Sequence, residues 1–188
     1  MEPVEAQEGP SLLSDAERQR FEQLVVPHLD SAHNLARWLL RSESDAQDVA
    51  QEALLRALRF FPGFHGGDPR AWLLKIVRNA SYTWLESHRR AELSEEFDEE
   101  RHGEPAASPE AQAIARAERE RLRDALEQLP TRFREVLVLR ELEGCSYKEI
   151  ADITAVPLGT VMSSLARARR RLQRILIGPA REETPHEL

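Results

Sequence analysis

Apolar residues recur at helical spacing along most of this chain, and no stretch shows the strict alternation of a half-buried strand. Ser14-Asp-Ala-Glu17 fits a capping box, with Phe21, Leu24 and Val25 following at helical intervals. Pro27 suits the first turn of a second helix, where a missing N–H costs nothing. That helix carries Leu29, Ala32, Leu35, Ala36, Leu39 and Leu40 on one stripe. Ser42 to Asp45 breaks the pattern and supplies caps. A third helix is predicted over 45–61, with Val49, Ala53, Leu54, Ala57 and Leu58 inward. Asp45, Asp48, Gln51 and Glu52 lie on its other side.

Pro62-Gly-Phe-His-Gly-Gly67 reads as a loop, because proline ends the helix and three glycines permit unusual backbone angles. Asp68-Pro69 is a cap followed by a first-turn proline. A fourth helix is expected to about Arg90, carrying Trp72, Leu73, Ile76, Val77, Tyr82, Trp84 and Leu85. Residues 91–109 hold seven carboxylates against Arg101 alone, together with Gly103, Pro105, Ser108 and Pro109. This is the composition of a flexible acidic linker.

Helical spacing resumes at Glu110 and continues to Gln128. After Leu129-Pro-Thr131 another helix is predicted over 132–142, with Phe133, Val136, Leu137 and Leu139 apolar, and Gly144 ends it. Ser146-x-x-Glu149 is a second capping-box match. A last helix runs from beyond Pro157 to about Ile177, where Gly178-Pro179 stops it. The fold class is therefore all-α, in two small helical domains. Residues 1–13 form a frayed N-terminus, 14–90 and 110–177 the domains, 91–109 the linker, and 178–188 a polar tail.

Composition adds two constraints. The chain has 188 residues, 41% hydrophobic and 31% charged, enough for one domain or two small ones. It shows neither a signal segment nor a membrane-length apolar run, so a cytoplasmic protein without membrane insertion is expected. The single Cys145 has no partner for an internal disulfide and no Cys or His neighbour at metal-ligand spacing. No catalytic arrangement, phosphate loop, metal spacing or nucleotide motif is present, so neither enzymatic activity nor a cofactor is expected.

Residues 146–174 carry the strongest functional signal. A helix-turn-helix needs a small residue where its helices cross, and Ala151 suits. Ile150, Ile153, Val156, Val161 and Leu165 supply apolar contacts, and Thr154-Ala-Val-Pro157 supplies the turn. The start of the second helix then meets base edges with Leu158, Gly159, Thr160, Met162, Ser163 and Ser164. Arg167, Arg169, Arg170, Arg171 and Arg174 follow, with no acid between Leu158 and Ala180. The plain alternative is an arginine-rich helix packed on a small bundle. Net charge is −7. DNA affinity rests largely on cations that neutralise phosphates, so an acidic chain with one basic helix implies either strong charge segregation or a partner that delivers it to DNA.

Three ordered segments resemble the small, extracytoplasmic-function sigma factors of bacterial RNA polymerase. Ser44-Asp-Ala-Gln-Asp-Val-Ala-Gln-Glu52 resembles region 2.2, and Pro69-Arg-Ala-Trp-Leu-Leu-Lys-Ile-Val-Arg-Asn79 resembles regions 2.3 to 2.4. Leu129 to Gly144 together with Ser146 to Arg171 resembles region 4. The resemblance implies that Asp45, Asp48, Gln51 and Glu52 bind core RNA polymerase, mainly a coiled coil of its largest subunit. It implies that Phe64, His65, Arg70, Lys75, Arg78 and Asn79 serve the −10 promoter element, whose opening needs a base pocket and platforms for single-stranded DNA. Ser146, Tyr147, Gly159, Thr160, Met162, Ser163, Ser164, Arg167 and Arg169 would serve the −35 element. Control by an anti-sigma factor is a further implication, and the acidic linker would run through polymerase channels built for nucleic acid. Each site has a plain counterpart: the acidic residues as solvated helix surface, His65 as a loop residue. Trp72 and Trp84 are expected in the core.

Departures from the family pattern matter. Gly159-Thr-Val-Met-Ser-Ser-Leu-Ala-Arg-Ala168 has Met162, Ser164 and Ala166 where the family commonly has Lys, Arg and His. Losing about two cationic contacts predicts weaker or altered −35 recognition with a flatter salt dependence. Ala155 stands where glycine is frequent, and a left-handed backbone there would cost about 1 kcal/mol. Cys145 is expected as a small buried hydrophobe. An autonomous helix-turn-helix regulator is the competing reading, and it requires DNA affinity of its own.

Overall fold

The computed structural model describes residues 13–92 and 110–177. The expectations for the N-terminus up to residue 12, for 93–109 of the linker and for the tail lie outside them. The described residues contain helices and turns and no strand. They fall into two compact units, divided after Trp84.

The first unit begins with α1 (Asp15–Leu24). Its capping box forms as expected. The Glu17 N–H donates to Ser14 Oγ at 3.4 Å, while the Glu17 carboxylate accepts from the Ser14 N–H at 2.9 Å and hydroxyl at 2.7 Å. The side-chain bond from Ser14, then the backbone one, holds the Glu17 carboxyl below the ordinary carboxylate value. Pro27 sits in a 3-10 turn, Val26–His28, that leads into α2 (Leu29–Leu40). Arg41 ends α2 in a left-handed conformation, φ 63°.

α3 (Glu43–Phe60) starts two residues earlier than the spacing predicts, because Ser42 accepts the Asp45 N–H at 3.3 Å and fixes the cap there. It packs closely on α2. Ala46, Val49, Ala53 and Ala57 form its buried line, and these small side chains permit the approach. Leu54 and Leu58, expected inward, are half-buried at the edge of that line. A 3-10 turn, Phe61–Gly63, and a short loop lead to α4 (Pro69–Glu92). Leu73, Leu74, Val77 and Ala80 are its core residues. Buried Ser81 is satisfied by donating to the Val77 carbonyl at 2.9 Å. Trp72 and Trp84 are half-buried. α4 continues two residues into the stretch read as linker.

The second unit contains α5 (Glu110–Glu127), α6 (Thr131–Leu137), α7 (Tyr147–Thr154) and α8 (Leu158–Ile177). The regular helix expected over 132–142 changes character after Leu137. Val138–Leu142 is a π-helical turn, in which the Glu143 N–H reaches back five residues to the Val138 carbonyl at 2.9 Å. Such turns are rare and often mark functional sites. Leu139 is buried here, whereas Leu142 is 51% exposed. Gly144 leaves the turn at φ 65°, and Cys145 is buried, as expected of a small hydrophobe. Arg134 is buried although charged. Its guanidinium donates to the carbonyls of Glu127 at 3.0 Å and Leu129 at 3.3 Å, satisfying backbone acceptors around the end of α5.

Candidate nucleic-acid and partner interfaces

α7 and α8 form the helix-turn-helix. Ser146 caps α7 in a full capping box. Its Oγ accepts the Glu149 N–H at 3.2 Å, and the Glu149 carboxylate accepts the Ser146 N–H at 2.6 Å. Ile150, Ile153, Val161 and Leu165 are buried, Val156 is half-buried, and Ala151 is half-buried where the helices approach. Ala155 takes the left-handed conformation, φ 56° and ψ 37°, and closes the turn by donating to the Ala151 carbonyl.

On α8, Gly159, Thr160, Met162, Ser163, Arg167 and Arg169 are exposed and Ser164 is half-buried. A side chain at Gly159 would meet open space. Arg169 is not a freely available cation. It donates to Glu141 Oε1 from Nε at 3.2 Å and from an η nitrogen at 2.6 Å. The hydrogen bond to Glu141, with a smaller contribution from Tyr147, raises its already high pKa. Half-buried Tyr147 also lies under the Arg140 guanidinium, 4.9 Å from the ring centroid, and Arg140 donates to the Cys145 carbonyl at 2.8 Å. The π turn thus places Arg140 and Glu141 where they clasp the start of α7 and the middle of α8. Spacing alone gives no sign of this clasp, because its partners lie up to 28 residues apart.

The loop before α4 rests on an aromatic cluster. Phe61 lies 5.1 Å from Phe21, edge to face, and 5.9 Å from Phe64; Trp72 lies 4.9 Å from Phe64. Phe64 is therefore inside the unit, 6% exposed, and offers no ring face to DNA in this conformation. Expected at the −10 site, it braces the loop from within, packed against Phe61 and Trp72. Arg20 of α1 donates to the Phe64 carbonyl at 3.0 Å and lies 5.3 Å from the Phe61 ring, a contact the sequence does not signal. His65 is exposed beyond the cluster, and Gly66 and Gly67 follow at φ 126° and 95°.

Asp68 accepts the Arg70 N–H at 3.0 Å and starts α4. Lys75 and Asn79 are exposed; Arg70 and Arg78 are half-buried. Lys75, Arg78, Asn79 and Tyr82 recur at three- and four-residue spacing and share one helix face. The Arg78 guanidinium lies over the Tyr82 ring, 4.1 Å from its centroid. Tyr82 is half-buried and shares the cationic face. On α3, Asp48, Gln51 and Glu52 are exposed, Asp45 is half-buried, and Glu52 pairs with Arg56 at 2.6 Å. Leu55 lies in the middle of this face and is 58% exposed.

Two family models match the chain: sigma-70 region 2 over residues 24–91, mostly within the first unit, and sigma-70 region 4 over residues 119–172, within the second. The chain is 33% identical over 170 residues to the RNA polymerase sigma-H factor of Pseudomonas aeruginosa, across 85% of this chain and 88% of that protein. It is 33% identical over 155 residues to the ECF RNA polymerase sigma factor SigE of Mycolicibacterium smegmatis, across 81% of this chain and 60% of that one. A co-crystal structure of the sigma factor RpoE with the anti-sigma factor NepR from Bartonella quintana contains a chain that matches with TM-score 0.72 and 29% identity, across 85% of this chain and 98% of that one. The chain belongs to the sigma-70 family of RNA polymerase sigma factors, in the extracytoplasmic-function group.

Proposed function

We infer that this chain binds core RNA polymerase, directs it to a set of promoters, and is held in check by an anti-sigma factor. The observation that carries this reading is the segregation of charge in a chain of net charge −7. α8 holds five arginines and no acid, while the exposed face of α3 holds Asp48 and Glu52. An acidic helix face suits a basic partner such as the polymerase coiled coil, with Asp45, Asp48, Gln51 and Glu52 as its polar contacts. α8 enters the major groove at the −35 element, and Ser146 and Tyr147 of α7 approach the backbone. At the −10 element, His65, Arg70, Lys75, Arg78 and Asn79 hold the opened strand, and Tyr82 offers a stacking surface. Phe64 contributes by stiffening the loop. The protein works in the cytoplasm as a non-enzymatic initiation factor; among the described residues no helix is long and apolar enough to cross a membrane.

The test is in-vitro transcription by core RNA polymerase on a promoter-fragment library, with and without the protein. Discrete new start sites that depend on the protein are expected. Absence of such starts, with tight binding of the purified chain to duplex DNA alone, refutes the reading in favour of an autonomous regulator.

A further inference from the structure

The first nine residues of α8, Leu158 to Ala166, carry no charge. Val161 and Leu165 are buried and Ser164 is half-buried, so the surface left for base edges is Leu158, Gly159, Thr160, Met162, Ser163 and Ala166. Leu158 is 48% exposed and Met162 is 53% exposed, one helical turn apart on the same side. Apolar side chains this exposed at the leading end of a groove-reading helix call for an apolar counterpart.

The donor and acceptor code of the major groove narrows that counterpart. Guanine presents two acceptors, met best by a bidentate Arg or Lys, and none stands before Arg167. Thymine presents a C5-methyl group, which is met by apolar contact. The hydroxyl of Ser163 donates to the Thr160 carbonyl at 3.1 Å, which leaves its lone pairs to accept from a base amino group. Exposed Arg167, Arg170, Arg171 and Arg174 follow on the same helix, and their charge suits the phosphates flanking a groove-bound helix. A protein partner would have to meet the same cationic surroundings.

We propose that Met162, with Leu158 beside it, reads thymine methyl groups in the upstream promoter element, so that this sigma factor selects thymines where its relatives with a cation at that position need not. The proposal rests on the placement of α8 in the major groove given above.

The test uses the holoenzyme. Selection from a library randomised over the upstream element identifies the preferred sequence. Each selected thymine is then replaced by uracil, which removes the methyl group and nothing else. One or two positions are expected to lose about fourfold in affinity, the effect of one buried methyl group. In holoenzyme carrying Met162→Ala, an exposed substitution that spares the fold, thymine and uracil templates are expected to bind equally at that position. A selected element without thymine, no uracil penalty in the wild type, or a penalty that persists undiminished in Met162→Ala overturns the proposal while transcription itself continues. Transcription that never depends on the protein overturns the underlying function as well. A Met162→Ala defect in binding a regulator protein, with the uracil penalty unchanged, would assign the patch to that protein and not to DNA.

Discussion

On the proposed placement of α8 in the major groove, Glu141 withholds one cation from DNA, and its removal has a calculable effect. Its carboxylate accepts two hydrogen bonds from Arg169, at 2.6 and 3.2 Å. The two side chains are 50% and 51% exposed, so the pair contributes about 0–1 kcal/mol to stability and Glu141→Gln leaves the fold intact. The effect on DNA appears in the salt dependence. Arg169 stays cationic at any working pH, because Glu141 raises a pKa that is already high. What the substitution changes is compensation: an anion that neutralises Arg169 disappears, and the guanidinium is released to one phosphate. One added phosphate contact steepens the dependence of log affinity on log salt by about 0.9. Between about 200 mM and 50 mM salt, that difference amounts to roughly 3.5-fold in affinity. The assay is holoenzyme binding to a labelled promoter fragment by fluorescence anisotropy across a potassium chloride series, for the wild type, Glu141→Gln and Arg169→Gln. The expected order of slopes is Glu141→Gln steepest, with Arg169→Gln no steeper than the wild type. An unchanged slope in Glu141→Gln refutes the view that the clasp withholds a cation from DNA.

Three further outcomes follow from the geometry. Ala155→Gly relieves a left-handed alanine worth about 1–2 kcal/mol and gives back about 0.4–1 kcal/mol in unfolded-chain entropy, a net gain of about 0.5–1 kcal/mol. The transition of the second unit should then rise by about 2–8 °C in a thermal scan followed by circular dichroism, and a fall would show that the exposed methyl group has a packing role. Leu55→Ser removes the apolar centre of the α3 face, so association with core polymerase should weaken by about tenfold, or ~1.4 kcal/mol, with thermal stability unchanged. Equal competition by variant and wild type for core enzyme would place the contact elsewhere. Glu17 has a depressed carboxyl pKa, so its stabilisation is present above the ordinary value of 4.5 and is lost as pH falls through the lower folded value. Glu17→Gln should therefore be less stable than wild type at neutral pH and converge with it on acidification. Denaturation midpoints that stay a constant distance apart would remove the capping box from the explanation.

Local signals proved the most legible. Both capping boxes and the break at Pro157 depend on residues within one or two turns, and each formed as the spacing implied. Long-range satisfaction was not legible. Arg20 looks like a surface cation until it meets the Phe64 carbonyl, 44 residues away. On α3, neighbouring residues differ by about 100° around the axis, so a stripe read one position too wide puts Leu54 inward and overlooks exposed Leu55. The π turn leaves no trace either, because the apolar run Val136-Leu-Val-Leu139 fits an ordinary buried helix equally well. The acidic face of α3 and the cationic face of α4 were correctly placed on helices, but their residues acquire roles only through a partner that a single chain does not contain.

That division bears on how promoter choice is made. On the proposed docking, a helix whose leading residues are neutral, and whose Arg169 is held by Glu141, leaves base discrimination to shape and methyl contacts while its later arginines face phosphates. Such contacts discriminate by about a factor of four each, far short of what selects one site in a genome. The first unit has a different character: a loop braced on Phe61, Phe64 and Trp72, with Lys75, Arg78 and Tyr82 arrayed along α4 on the face proposed for a single strand. Neither unit suffices in an acidic chain, and the polymerase joins them by holding both on one DNA molecule. Tethering multiplies two weak recognitions through effective concentration without any new contact. If α8 is a weak −35 reader, initiation depends on both elements at once, and strengthening α8 with added cations would trade that dependence for binding at upstream sites that lack a −10 element.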